Sequence, residues 1–200
     1  MLQITSKYRI AKRLGAAIFE KTQSQKFSLA EARALKNGKR RRPLSDFGKQ
    51  LLEKQKSRFT YGLLEHQFAR YVGKAMDEGQ PAAALHRMLE TRLDSVAYRL
   101  GLASTRRAAR QITTHGHLTV NGKRMNVPSH TLRIGDVVGV REGSKTSALF
   151  AGIAEKEQNN PPSWLTFDPA TLKGSVTALP TYVPGEGAAD YAQVIEFYSR

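Results

Sequence analysis

The chain has 200 residues, 40% of them hydrophobic, and a formal net charge of +15. That is long enough to bury a real core and too apolar for wholesale disorder. With no cysteine in the sequence, disulfides, Cys-ligated zinc and a cysteine nucleophile are excluded, and no apolar run approaches the ~18 residues of a membrane span.

The charge is unevenly placed: +13 over residues 1–74, +5 over 75–150 and −3 over 151–200. A chain this basic repels itself unless a polyanion neutralises it, and nucleic acid is the default partner. Membrane binding would need a helix with one strongly apolar and one basic face. Here the cations are spread through several elements, so a folded nucleic-acid binder is expected and a membrane partner is not.

In chain order, residues 1–43 read as a basic, weakly patterned N-terminal arm ending in Lys39-Arg40-Arg41-Arg42-Pro43. Such an arm is expected to be mobile alone and to order on its polyanion. Within it, Ser28 and Glu31 read as a capping box opening a short helix that Asn37-Gly38 closes. Ser45-Asp46 can cap the next helix. "SDFGKQLLEKQKSRFTYGLLEHQFARYVGKAMDEG" reads as two helices broken near Gly62, with apolar stripes from Leu51 to Val72. Tyr61, Phe68 and Tyr71 are expected in the core at that spacing. From Pro81, one long helix is expected to run to Leu100, stopped by Gly101.

Residues 102–125, "LASTRRAARQITTHGHLTVNGKRM", carry both charge and punctuation. Ser104 or Thr105 caps a helix ending at His115-Gly116. With Arg106 placed at 0°, Arg110, Thr114 and Arg107 fall at about 40°, 80° and 100°, while Ala108, Ile112 and Ala109 fall at about 200°, 240° and 300°. Cations are therefore expected on one open face and apolar residues on the other. "HLTV" and "KRMNV" flank Asn121-Gly122, a strong hairpin signal, and "TLRI" and "VVGVRE" flank a second turn at Gly135-Asp136. A cationic helix face beside a hairpin bearing Lys123 and Arg124 makes a preformed surface suited to a phosphate backbone.

Other chemistry is poorly supported. His115 and His117 have no third or fourth ligand beside them, so no metal is expected. Glu90 and Asp94, at i,i+4, read as helix-surface ion-pair partners of Arg87, Arg92 and Arg99 rather than an acid–base pair. No phosphate-cradling glycine loop or nucleophile constellation is present. Trp164, after Pro161-Pro162, is expected to pack.

These segments resemble a known family. Arg92-Leu93-Asp94, Tyr98-Arg99, Thr105-Arg106, Ala109-Arg110-Gln111, His115-Gly116 and Val120-Asn121-Gly122 match the pattern of the small RNA-binding domain named after small-subunit ribosomal protein four. "LSDFGKQLLEKQKSRFTYGLLEHQF", "WLTFD", "VIEFYSR" and "KYRIAKRLG" resemble further motifs of that bacterial-type ribosomal family, in the same order, over nearly the whole chain. Because the match begins by Lys7, little room is expected for a cleaved transit peptide. "PTYVPGEGAADYAQ", before an expected last strand, departs from the family, as does segment 20–42.

The resemblance implies an α+β protein: a helical domain with an inserted small α/antiparallel-β RNA-binding domain. The expected divisions are the arm at 1–43, a helical domain at 44–91 completed by 176–200, the RNA-binding domain at 92–152 and a connecting segment at 153–175. The implied function is that of a structural constituent of the cytoplasmic small ribosomal subunit, an organellar ribosome also being possible on sequence. It would bind a helical junction in the 5′ domain of small-subunit ribosomal RNA early in assembly, neighbour ribosomal small-subunit proteins five and twelve, influence decoding accuracy and line the mRNA entry channel. No enzymatic activity and no cofactor are expected. The competing reading is an RNA-modifying enzyme or other RNA chaperone using the same domain; the enzyme would need a catalytic domain that the short 151–200 remainder does not supply. The RNA-binding residues expected are Lys7, Arg9, Lys12, Arg13 and Arg40–Arg42 (Arg40, Arg41, Arg42) in the arm. Lys49, Lys54, Lys56, Arg58 and Arg70 follow in the helical domain. Arg106, Arg107, Arg110, Gln111, His115, Asn121, Lys123 and Arg124 belong to the small domain. Arg106 and Arg110 are each expected to neutralise a phosphate with little bearing on stability.

Overall fold

The computed structural model describes residues 4–37, 43–150, 152–153, 161–185 and 189–200. The fold is α+β and divides into two compact units, one of residues 1–85 and 182–200, the other of residues 86–181.

The first unit is helical. Helices α1 (Lys7–Leu14), α2 (Gln25–Asn37), α3 (Asp46–Thr60) and α4 (Glu65–Met76) are joined at its end by a helix from the far end of the chain, α9 (Tyr191–Tyr198). Ser45 caps α3, its Oγ accepting from the Gly48 amide at 3.3 Å, as expected of a Ser N-cap. The break at Gly62 is present, with φ at +61°. Tyr61 and Phe68 are buried.

Within the segment read as a weakly patterned arm, the described residues 4–37 hold helices α1 and α2 and a small core of their own. Two short 3₁₀ turns, Ala16–Ile18 and Glu20–Thr22, fold the chain after α1. They gather Ala11, Leu14, Ile18, Phe19 and Phe27 into a buried cluster against Leu52 and Phe59 of α3. These apolar residues lie in different short elements, so no single periodicity announces them. Ser28 caps nothing: it lies inside α2, with its hydroxyl bonded to the Gln25 carbonyl at 2.9 Å.

The second unit places helices α6 (Leu93–Arg99) and α7 (Arg106–Thr114) with a five-stranded antiparallel sheet. Helix α5 (Pro81–Glu90) contains the boundary between the two units. The strands are β1 (Leu118–Val120), β2 (Lys123–Met125), β3 (Val137–Val140), β4 (Leu165–Asp168) and β5 (Lys173–Val176), with a short helix α8 (Glu142–Lys145) after β3. Their order is β2-β1-β3-β5-β4. Leu118 pairs with Val140 and Met125, and Val138 with Gly174. Alternation then sends Leu118, Val120, Val138, Val140, Leu165 and Val176 into one core with Leu93, Val96, Leu100 and Ile112. Gly174 is a close approach: a Cβ there would lie 2.6 Å from Leu100 Cδ2 and 2.7 Å from the Thr166 carbonyl oxygen. Trp164 is buried in the same core, as expected.

Four further expectations change. The helix expected over 81–100 is two helices, because the backbone at Thr91–Asp94 bonds outside itself. Leu93 N donates to His130 O at 2.8 Å, Asp94 N to Pro128 O at 3.2 Å, and Leu132 N to Thr91 O at 2.9 Å. "TLRI" is no strand; Thr131 makes an isolated bridge with Arg92. Part of the expected connecting segment 153–175 is β4 and the start of β5, which extend the sheet through β3. The expected last strand, "VIEFYSR", lies largely in α9, which Asp190 caps by accepting from the Ala192 amide at 2.9 Å.

Candidate nucleic-acid interface

Helix α7 begins at Thr105, whose Oγ1 accepts from the Ala108 amide at 3.1 Å. Its sequence alternates cations and small apolar residues, so the helix buries Ala109, Ile112 and Thr113 and leaves Arg107, Gln111, Thr114 and His115 exposed. Arg106 and Arg110 behave differently from the expectation. Arg106 Nη2 meets Glu90 Oε1 at 3.0 Å, its Nη1 donates to Ser95 Oγ at 3.3 Å, and its guanidinium lies 4.8 Å over the Tyr98 ring. Arg110 Nε meets Asp94 Oδ2 at 3.0 Å. Both side chains are only 15% exposed. On the helix wheel they stand at the edge of the buried sector, and acids from α5 and α6 draw them inward.

Those acids are the pair read as surface ion-pair partners. Glu90 accepts twice from Arg99, at 2.8 and 3.0 Å, besides its contact with Arg106. Asp94 accepts twice from Arg92, at 3.0 and 2.8 Å. The pairing with Arg92 and Arg99 is as expected, but Glu90 and Asp94 side chains are 2% and 8% exposed, so the network is buried and not a helix surface. Buried charges persist only when paired and hydrogen-bonded. Here each carboxylate gathers two guanidiniums, which ties α5, α6 and α7 together.

The hairpin is locked from a second direction. Asn121 and Gly122 both have positive φ, +50° and +79°, as a two-residue type I′ turn requires. Asn121 Nδ2 donates to Asp136 Oδ1 at 2.8 Å, and its Oδ1 accepts from the Val137 amide at 2.9 Å. Asp136 Oδ2 accepts from the Arg133 amide at 2.7 Å. This backbone bond from Arg133, with the bond from Asn121, outweighs burial and holds the Asp136 carboxyl below the usual carboxylate range. Asn121, expected to touch RNA, therefore spends both side-chain groups inside the protein. Its neighbours Lys123 and Arg124 are exposed. Arg124 Nη2 reaches back to the His115 carbonyl at 3.3 Å, so hairpin and helix end present one basic edge. Arg133 and Arg141, which the sequence reading placed in the segments flanking the second turn and did not count among the RNA-binding residues, are exposed on the same unit.

The cations of the helical unit also divide. Arg9, Lys12, Arg13 and Arg70 are exposed, and Lys49 is exposed beside Asp46 at 3.0 Å. Lys7 lies 5.8 Å over the Phe19 ring. Lys54 is a correction: 8% exposed, it meets Glu65 at 2.8 Å and lies 4.9 Å over the Phe197 ring. Arg58 also turns to Glu65, at 3.6 Å, and Lys56 to Glu53, at 2.5 Å. Burial alone would raise the Glu65 carboxyl. Hydrogen bonds from Lys54 and Tyr198, with the charges of Lys54 and Arg58, outweigh it and hold the group below its ordinary value. These three cations stabilise the helical unit, and α9 shares the arrangement through Tyr198, whose hydroxyl donates to Glu65 at 2.6 Å. Arg40, Arg41 and Arg42 lie outside the described residues. Among the described residues, no three His, Asp or Glu side chains cluster as a metal would require, and no helix is long and apolar enough to cross a membrane.

The fold and this surface define a two-unit α+β protein whose smaller module carries a rigid basic helix–hairpin edge. A family model described as the S4 domain matches residues 91–138, and one described as the ribosomal protein S4/S9 N-terminal domain matches residues 3–91. The chain is 43% identical over 201 residues to the small ribosomal subunit protein uS4 of Roseiflexus castenholzii, covering 96% of each. It is 47% identical over 165 residues to the uS4 protein of Herpetosiphon aurantiacus, covering 80% of this chain and 78% of that one. With the uS4A protein of Alkaliphilus oremlandii it shares 46% over 165 residues, 82% of this chain and 80% of the relative. The chain belongs to the uS4 family of small ribosomal subunit proteins.

Proposed function

We propose that the chain is a structural, non-catalytic constituent of the small ribosomal subunit that grips small-subunit ribosomal RNA. The observation that carries this is end-to-end similarity: 96% of the chain aligns with 96% of a relative named for that subunit. The basic edge of α7 and the hairpin supports it, because a locked array of cations suits a phosphate backbone of fixed shape. On this reading Arg107, Gln111, His115, Lys123 and Arg124 face the RNA from the small module, and Arg9, Lys12, Arg13, Lys49 and Arg70 from the helical unit. The finer reading is a helical junction in the 5′ domain, bound early in assembly. It includes small-subunit proteins five and twelve as neighbours, the mRNA entry channel beside it, and an influence on decoding accuracy, in the cytoplasmic ribosome.

The test is binding of the full chain to a transcript of the 5′ domain of small-subunit ribosomal RNA over a salt series, with sedimentation of the tagged chain from cells. Tight, steeply salt-dependent binding that survives an excess of unrelated duplex RNA, and stable migration with small subunits, are the expected results. Equal affinity for the unrelated duplex, or only transient association with subunits, would refute the proposal.

A further inference from the structure

Gly116 has no side chain where the Arg124 guanidinium lies. A Cβ built there would fall 2.6 Å from Arg124 Nη2 and 2.9 Å from its Cζ, far inside contact distance. The guanidinium thus covers the Gly116 backbone just past the end of α7 while Nη2 bonds the His115 carbonyl. Helix C-terminal carbonyls lack intrahelical partners and carry partial negative charge, so a cation is favoured there. Arg124 comes from β2, paired to β1 opposite Thr119, and the Asn121–Asp136 bond holds the turn of that hairpin. Two elements therefore converge on one guanidinium, which keeps its remaining N–H groups while its position is set.

We propose that Gly116 is the seat of Arg124: a positioning residue that fixes the guanidinium as a preorganised phosphate fork shared by α7 and the hairpin. The inference rests on the RNA-binding reading and adds a cause for its affinity. An unseated Arg124 has to lose its rotamer freedom on binding, whereas a seated one has already done so. The atoms a Cβ would meet are the far end of a flexible side chain, so Gly116→Ala moves Arg124 out of the seat. The positive φ of +71° adds backbone strain, so the test must separate the two effects.

A double-mutant cycle does this with the full chain and the 5′ domain transcript. Arg124→Ala is expected to weaken binding about tenfold and to lower the salt slope by about 0.7–0.9. Gly116→Ala alone is expected to weaken it about fivefold, and to add less than about twofold in the Arg124→Ala background. Arg124→Lys, which keeps the charge but not the fork, should retain the slope and lose affinity. In the free protein, NMR should show a nuclear Overhauser contact between the Gly116 Hα and the Arg124 side chain, abolished in Gly116→Ala. Equal losses for Gly116→Ala in both backgrounds would mean that the glycine acts through backbone strain, and would overturn the proposal. So would absence of the Gly116–Arg124 contact in the free protein. If the contact is present and the wild-type chain still shows no preference for the transcript, the RNA reading fails and the fork loses its purpose.

Discussion

Replacing Glu90 by Gln removes one charge and almost no volume from the centre of the module. The carboxylate is 2% exposed and accepts three N–H groups, two from Arg99 and one from Arg106, all within 3.0 Å. Hydrogen bonds to charged groups are worth about 1.5–3 kcal/mol each, and removing one partner of a buried pair costs about 3–5 kcal/mol. The amide also turns an N–H pair toward guanidinium donors. Against this, the Arg99 side chain is 40% exposed and can turn to water, so the lower end, about 3 kcal/mol, is expected. The chain's one tryptophan, Trp164, is buried in this unit. Its fluorescence during urea unfolding therefore reports the module without the helical unit. Arg106→Ala should also destabilise, and the double variant should lose less than the two singles together, with a coupling of about 0.5–3 kcal/mol. The earlier expectation that Arg106 bears little on stability is reversed by this geometry. A shift below about 0.5 kcal/mol for Glu90→Gln, the range of ordinary surface changes, would refute the claim that the network holds α5, α6 and α7 together.

Arg107→Ala and Lys123→Ala, both at exposed positions, should each lower the salt slope of RNA binding by about 0.7–0.9 and leave Trp164-monitored unfolding unchanged; an unaltered slope in either would remove that residue from the interface. Hydrogen bonds from the Arg133 amide and Asn121 hold the Asp136 carboxyl below the ordinary value of an aspartate in the fold, so its contribution is fully present above that ordinary value and is lost as pH falls below it through the folded pKa. Urea midpoints measured from pH 6 to pH 3 should fall less steeply for Asp136→Asn than for the wild type, and parallel curves would show that the hairpin lock does not depend on this charge.

The elements that announced themselves in the sequence are those whose signals are local. Ser45 and Thr105 cap as their side chains dictate, and Asn121-Gly122 turns the hairpin as its backbone preference requires. The break at Thr91–Arg92 was hidden because Leu89, Leu93, Val96 and Leu100 keep helical spacing across it; its cause lies in bonds to Pro128, His130 and Leu132. The exposed half of the basic edge was legible from the wheel. Arg106 and Arg110 were not, since a wheel treats every cation as outward and their acids sit on other helices. Lys54 was misread for the same reason: Glu65 begins the next helix and Phe197 is far away in the chain.

The helical unit is closed by α9, which packs on α3 through contacts such as Gln50 Nε2 donating to Glu196 Oε2 at 2.9 Å, 146 residues apart in sequence. The whole second unit lies between them in the chain. Closing a flexible loop costs about (3/2)RT ln n, so bringing these ends together from a disordered chain costs roughly 4 kcal/mol before any contact repays it. Folding the 86–181 segment first removes most of that slack, leaving about 50 loose residues and lowering the closure cost by roughly 1 kcal/mol, near a fivefold gain in the rate of meeting. An inserted module that compacts before its host would thus act as a folding aid, shortening the path along which the last helix finds its place.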